Sequence, residues 1–284
     1  MPIEVLEENS IQKDLLLDTS KKVRFYVDNK EYIEDDAFHI YLQQEPEAIY
    51  PTKEYLLTNA HRYNVILTFD KDVLRFCPNA KLFTFYTPTW LDEKEYANID
   101  TNRKKFQIST LVGSKRLTLS HEIRLFLYFN QVLLQKLPIT FFRSCAPPFL
   151  PEITVNPFLE GKHLSAKSQL FSEFQFHLAI ENSRQENYFT EKIIDCLVSK
   201  TIPIYYGCPN IADYFDTTGW ILLEHGAPQE ILEKCSKLDS EYYNKYKETI
   251  ESNYVKALYW KDNYQRLNNM LATLPGYDSA SEML

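Results

Sequence analysis

Short apolar runs rich in β-branched and aromatic residues alternate along this chain with segments of helical period. The pattern predicts strands over residues 23–27, 38–42, 64–69 and 81–86, with short helices near 53–58 and 71–76. A second series opens with FQISTLVG at Phe106, continues through a helix over about 120–135, and reaches the strand ITFFRS. Downstream, FHLAI reads as a buried strand, TEKIIDCLVSK as a helix, and IPIYYG and GWILLE as strands, before a helix over 228–237. Residues 241–271 are helical in character, and the tail GYDSASEML is expected to fray.

Strands that alternate with helices in this way predict α/β architecture built on parallel sheets. The polar stretch ANIDTNRKK lacks apolar periodicity and divides the two series. It sets an N-terminal lobe at 1–102, a second lobe at 103–250, and a C-terminal helix and tail at 251–284 that is expected to pack back on the first lobe. Two such lobes imply a cleft, where ligands commonly bind.

Composition narrows the chemistry. Among 284 residues, 44% are apolar and 25% charged, which is the balance of a folded protein. The 20 Tyr and 18 Phe against only 6 Gly speak against a glycine-rich phosphate loop. A net charge of -8 excludes a broad electrostatic grip on nucleic acid, and Arg103-Lys104-Lys105 is the nearest thing to a basic patch. The acidic N-terminus lacks a signal-length apolar run, and no segment approaches the roughly 18 apolar residues of a membrane span. Five cysteines, at 77, 145, 196, 208 and 235, show no CxxC spacing, so a reducing cytoplasm is expected.

Residues 176–207, FHLAIENSRQENYFTEKIIDCLVSKTIPIYYG, form a strand, polar loop, helix and strand. Thr190 is a natural helix N-cap, and Ile193, Ile194 and Leu197 make an apolar stripe that places the helix N-terminus beside the loop. Free N–H groups there favour a phosphate, and Lys192 adds a full charge able to neutralise a diphosphate. Glu191 would instead accept hydrogen bonds from sugar or ribose hydroxyls. Thr-Glu-Lys is also an ordinary way to begin a helix, because an acid in the first turn complements the dipole. The case for a site rests on convergence: Glu181, Asn182, Ser183, Tyr188, Glu191 and Lys192 cluster beside a buried strand.

This segment closely resembles the donor-binding motif of the α-1,3/4-fucosyltransferases, glycosyltransferase family ten. The likeness runs through Phe, an apolar run, Glu-Asn, a polar loop, Tyr, Thr-Glu-Lys and IPIYYG, about 30 residues, with weaker similarity over most of the chain. The resemblance implies a GT-B fold of two Rossmann-like lobes facing a central cleft, GDP-fucose as donor, inversion at the anomeric carbon, and a glycan acceptor. It implies donor contacts by Asn182, Tyr188, Glu191 and Lys192, with Glu191 near the ribose, Lys192 near the phosphate, and Glu181 orienting the loop. The family's diphosphate-binding arginine has its nearest equivalent in Arg124, with Arg116 or Lys115 as alternatives. His121 shares the first turn with Arg124 and reads either as a surface or capping residue or as a phosphate or base contact. No metal or other cofactor is expected, since basic side chains would neutralise the diphosphate.

An alcohol is a poor nucleophile at neutral pH, so an inverting transferase needs a base. Glu45 follows the strand FHIYL, where the family places its catalytic glutamate in a Glu-Ser-Pro context. Here the serine is absent, giving Glu45-Pro46, and Glu47 stays open as the alternative. Asp70-Lys71-Asp72 has the spacing of a metal-binding Asp-x-Asp, yet Asp70 equally serves as a helix cap. Trp90 and Trp220 read as core residues, with stacking on a sugar as the alternative. Two other functions stay open: a GT-B transferase using a different GDP-sugar, and a non-catalytic binding module for a nucleotide sugar or glycan.

Overall fold

A computed structural model describes residues 4–7, 22–84, 89–144, 162–163 and 166–274. The end of the expected fourth strand, Cys145 and the C-terminal tail lie outside the described residues. Two compact units emerge, one of residues 1–87, 186–188 and 262–284, the other of 88–185 and 189–261.

In the first unit, β1 (Glu4–Glu7), β2 (Val23–Val27), β3 (Phe38–Leu42), β4 (Val65–Thr68) and β5 (Ala80–Leu82) form a parallel sheet in that order. Between them run α1 (Lys53–Asn59) and α2 (Lys71–Phe76). Every side chain of β2, β3 and β4 is buried, as a parallel sheet covered on both faces requires. The period-2 alternation sorts them. Val23, Phe25, Val27, Ile40, Leu42, Val65 and Leu67 enter one cluster, whereas Tyr26, Tyr41 and Ile66 join Leu56 and Val73 of the helices in another.

The second unit begins with α3 (Glu93–Ala97), then β6 (Lys105–Val112), α4 (Leu119–Phe129), β7 (Ile139–Arg143), β8 (Lys162–His163) and β9 (Phe174–Ile180). There follow α5 (Glu191–Val198), β10 (Ile202–Tyr206), β11 (Ile221–Leu222), α6 (Pro228–Cys235), α7 (Ser240–Lys245) and α8 (Lys247–Lys261). Its sheet is also parallel, in the order β11-β10-β9-β6-β7-β8. Strand order reverses between β6 and β9, and the carboxyl ends of strands at such a switch point are where open α/β sheets bind ligands. Ile108, Phe176, Leu178, Ile202 and Ile204 of the sheet pack with Leu125 and Tyr128 of α4 and Ile231 of α6.

Two helical expectations change. The helix expected to reach residue 135 ends at Phe129, where Asn130 caps it and a 3₁₀ turn takes over. The helical stretch over 241–271 is three helices, the last being α9 (Asn263–Leu271). Asp262 starts α9 by accepting from the Gln265 amide at 2.9 Å. Leu267 and Leu271 of α9 join the first unit's core, and Arg266 donates to the Thr84 carbonyl at 2.5 Å. The units divide at 87/88, where the sequence had suggested 102/103. The physical reason is the Asp195 carboxylate, which accepts the amides of Trp90 (2.9 Å) and Leu91 (3.4 Å) and ties this segment to α5.

Gly207 closes β10 against the end of β9. A Cβ there would lie 2.5 Å from Glu181 Cγ and 2.5 Å from the Tyr205 hydroxyl, distances that real Cβ atoms do not adopt. Gly207→Ala is therefore expected to cost about 1–3 kcal/mol through overpacking. At about 2–4 °C per kcal/mol the loss is several degrees in a thermal melt, and an unchanged midpoint would show that Glu181 and Tyr205 are free to shift.

Candidate active site

The site grows from the carboxyl end of β9. Glu181, fully buried, accepts the Thr190 amide at 2.9 Å on Oε1 and the Thr190 hydroxyl at 2.6 Å on Oε2. Thr190 also caps α5, accepting the Lys192 amide at 3.4 Å, so one carboxylate closes the loop that starts at β9 and sets the helix that ends it. Burial raises the Glu181 pKa, and the nearby Lys192 together with the Thr190 hydrogen bonds works against that rise.

Lys192 points into the same loop. Its Nζ lies 2.9 Å from Glu191 Oε1, 3.1 Å from Thr190 Oγ1 and 3.8 Å from Glu181 Oε2. Glu191 is 6% exposed; burial alone would raise its pKa, but Lys192 and the Thr190 hydroxyl outweigh that and hold it below the ordinary value. Glu191 is thus a charged acceptor at neutral pH.

From the other side of the switch point, α4 contributes Arg124, whose Nη2 donates to the Asn182 side-chain oxygen at 2.8 Å. His121 is 4% exposed, so the surface reading gives way to the capping one: its ring Nδ1 is 2.9 Å from Thr118 Oγ1, the N-cap of α4. Burial first, then Arg124, Lys115 and Lys192, lower its pKa to about 4. Burial and the positive charges of Arg124, Lys115 and Lys192 thus keep this imidazole neutral at pH 7.

The remaining sequence candidates divide. Arg116 pairs with Glu122 at 3.0 Å, both exposed, and Ser183 is half-buried on the loop. Tyr188 groups with the first unit, buried against Phe69 with ring centroids 5.1 Å apart. The neighbouring Asn187, at φ 62°, receives a hydrogen bond from the Thr84 hydroxyl.

In the first unit, Glu45 is half-buried after β3, and its backbone is clamped by the residue that follows β2. Asp28 accepts the Gln44 amide at 3.0 Å and the Glu45 amide at 2.8 Å, one on each carboxylate oxygen. Asp28 itself adopts φ 48°, a left-handed turn that a short polar side chain tolerates. Glu47 is a helix cap, because its Oε2 accepts the Thr52 and Lys53 amides at 3.0 and 2.9 Å at the start of α1. Asp70 likewise caps α2, accepting the Asp72 and Val73 amides at 2.9 and 3.1 Å, and Lys53 bridges to Asp72 at 2.9 Å. No group of three or more metal-ligating side chains is assembled among the described residues. Nor is any described helix long and apolar enough to cross a membrane.

Sequence reasoning missed Asp28 and Lys167 as neighbours of these candidates. Neither falls in a motif, and each arrives through topology, Asp28 from the adjacent strand and Lys167 from the turn before β9. It also favoured the core for both tryptophans. Trp220 is 8% exposed and stacks on Phe215, but Trp90 is half-buried with its ring facing Lys167 and Lys192. The four described cysteines, Cys77, Cys196, Cys208 and Cys235, are buried and are not joined in disulfides.

Comparison with known proteins gives the fold and the family. Solved structures similar to this chain include an α1,3-fucosyltransferase with GDP (TM-score 0.50, 16% identity, 86% of this chain and 77% of that one). TarM is another (TM-score 0.55, 14% identity, 90% and 56%), and the α/β fold is of the GT-B type. Curated relatives include the α-(1,3)-fucosyltransferase FucT of Helicobacter pylori, 39% identical over 61 residues, 22% of this chain and 13% of that protein. Another is the α-(1,3)-fucosyltransferase B of Drosophila melanogaster, 31% identical over 121 residues, 41% of this chain and 27% of the relative. The aligned stretches thus span well under a third of these relatives. The family described as glycosyltransferase family 10 (fucosyltransferase), C-terminal part, matches residues 103–274. The chain, matched over more than half its length, belongs to glycosyltransferase family 10.

Proposed function

We propose that this protein transfers fucose from GDP-fucose to a hydroxyl of a glycan acceptor, with inversion at the anomeric carbon. The observation that carries the reading is the convergence of Arg124, Lys192 and the α5 N-terminus around the β9 switch point, with His121 kept neutral between the cations. A leaving nucleoside diphosphate develops negative charge as the glycosidic bond breaks, and preorganised cations and helix N–H groups stabilise that charge. Glu191, charged and buried, supplies an acceptor for hydroxyl groups of the ribose or sugar. The solved relative with GDP supports the choice of nucleotide.

Glu45 is assigned as the general base. Deprotonation by Glu45 would make the acceptor oxygen a nucleophile for displacement through an oxocarbenium-like transition state, while GDP leaves from the opposite face. A positioned base of this kind contributes about 10²- to 10⁴-fold. The Asp28 clamp fixes the peptide from which this side chain springs. With basic side chains facing the diphosphate, donor binding is expected to need no metal.

Calorimetric titration with GDP and GDP-fucose, with and without Mg²⁺, tests the donor reading. Micromolar, Mg²⁺-independent binding that is lost in Lys192→Ala is expected; absence of binding at millimolar ligand would rule the donor assignment out. For Glu45→Gln, binding should persist while turnover falls about 10²- to 10⁴-fold, and a variant with unchanged kcat would remove Glu45 from the mechanism.

A pH dependence follows from Asp28. Burial carries its pKa up to about 7, with the Glu45 charge adding to the rise and the two amide hydrogen bonds opposing it. The fold therefore binds this proton more tightly than the unfolded chain does, where an aspartate titrates near about 4. The stabilisation is complete below the lower value and is lost as pH rises through the upper one. Relative to Asp28→Asn, the melting temperature of the unaltered protein should decline between about pH 4 and pH 7. A constant difference across that range would mean that Asp28 keeps an ordinary pKa.

A further inference from the structure

Lys167 stands apart from the residues that the family resemblance singled out, and its surroundings are unusual for a lysine. Its Nζ lies 3.5 Å from the centroid of the Trp90 ring, and Lys192 Nζ lies 5.7 Å from the same ring. Trp90 is held there by its own backbone, since the Trp90 and Leu91 amides donate to Asp195 on the second turn of α5. Two ammonium groups thus share one indole beside the α5 N-terminus.

The two lysines differ in their counter-charges. Lys192 is paired with Glu191 and lies near Glu181. Lys167 makes no ion pair or hydrogen bond through its ammonium with any described residue; the Trp90 ring is its contact. Burial lowers its pKa, and Lys192 lowers it further, against the pull of Glu191 and Asp195. Asp195 contributes little charge at neutral pH, because burial raises its pKa to about 8. Attraction to an aromatic face offsets part of the desolvation of an ammonium but supplies neither an acceptor nor a negative charge. Fixing a partly desolvated cation next to a second one is unfavourable unless an anion joins them.

We propose that Lys167 is a second phosphate-binding cation of the donor site, held by Trp90 so that it and Lys192 together neutralise a nucleoside diphosphate. This inference rests on the donor reading above and adds a residue to it. Lys192 would meet the diphosphate from the first turn of α5, Lys167 from the turn before β9, and Trp90 would keep the two ammoniums in place before the nucleotide arrives. Neither lysine reacts; both offset charge that grows on the leaving group.

The test is calorimetry with GDP, GMP and inorganic pyrophosphate on the unaltered protein and on Lys167→Met, Lys167→Arg, Lys192→Ala and Trp90→Leu. Loss of one charge-assisted contact predicts about 10- to 100-fold weaker GDP and pyrophosphate binding in Lys167→Met. GMP should lose less, Lys167→Arg should recover most of the affinity, and Trp90→Leu should fall between them. A structural defect would weaken all three ligands equally and would not be rescued by arginine, which would overturn the proposal. GDP affinity unchanged in Lys167→Met but lost in Lys192→Ala would overturn the role of Lys167 and leave the donor reading standing. A failure of GDP to bind the unaltered protein would overturn both.

Discussion

The Glu181 carboxylate is the constraint on which the end of β9 and the start of α5 depend. It is fully buried at the end of β9, and both of its oxygens are used by Thr190, nine residues further along. That double acceptance fixes where α5 starts, and with it the direction of the free N–H groups and of Lys192. A buried carboxylate is costly unless it is hydrogen-bonded and faces a cation. Here both conditions are met within one loop. Gly207 completes the arrangement from the neighbouring strand, because only a residue without a side chain leaves room for Glu181 and the Tyr205 ring. The Glu-Asn, Thr-Glu-Lys and glycine elements of the motif are parts of one packing problem, distributed over a strand end, a helix start and the next strand end.

The electrostatics follow from that geometry. Cations come from three places: Arg124 on α4, Lys192 on α5 and Lys167 ahead of β9. They are opposed by Glu191 and by Glu181, while Asp195 is pushed toward its neutral form. Burial is the first cause of the lowered His121 pKa, and the charges of Arg124, Lys115 and Lys192 lower it further. The N-terminus of α5 adds a partial positive charge of the same sign.

Much of the fold was legible because parallel strands buried on both faces leave a clear trace: VRFYV, FHIYL, VILT and IPIYY are apolar or aromatic at every position except Arg24, His39 and Thr68. Short edge strands such as β8 and β11, of two residues each, carry no such trace, and the second unit's reversal of strand order cannot be read from the order of elements. Breaks inside helical stretches were hidden for a different reason. Asp262 and Asn130 act through capping hydrogen bonds, and either residue would also be tolerated on an exposed helix face.

The same distinction explains which site residues the sequence revealed. Glu181, Asn182, Glu191 and Lys192 lie close together in the chain because a loop and a helix N-terminus are local objects. Arg124 became credible through its place after β6, and the 2.8 Å bond to Asn182 shows that the crossover brings it to the neighbouring strand end. Glu47 and Asp70 looked like chemistry because acids near strand ends are common to active sites and to helix caps. Their hydrogen bonds to α1 and α2 show the cap. Asp28 and Lys167 are the converse, ordinary charged residues in unremarked segments that acquire meaning only from what the fold sets beside them. One orders the peptide before Pro46, and the other is a cation with no acceptor among the described residues. A charge of that kind is invisible in a motif, because it is defined by what the described residues around it do not supply.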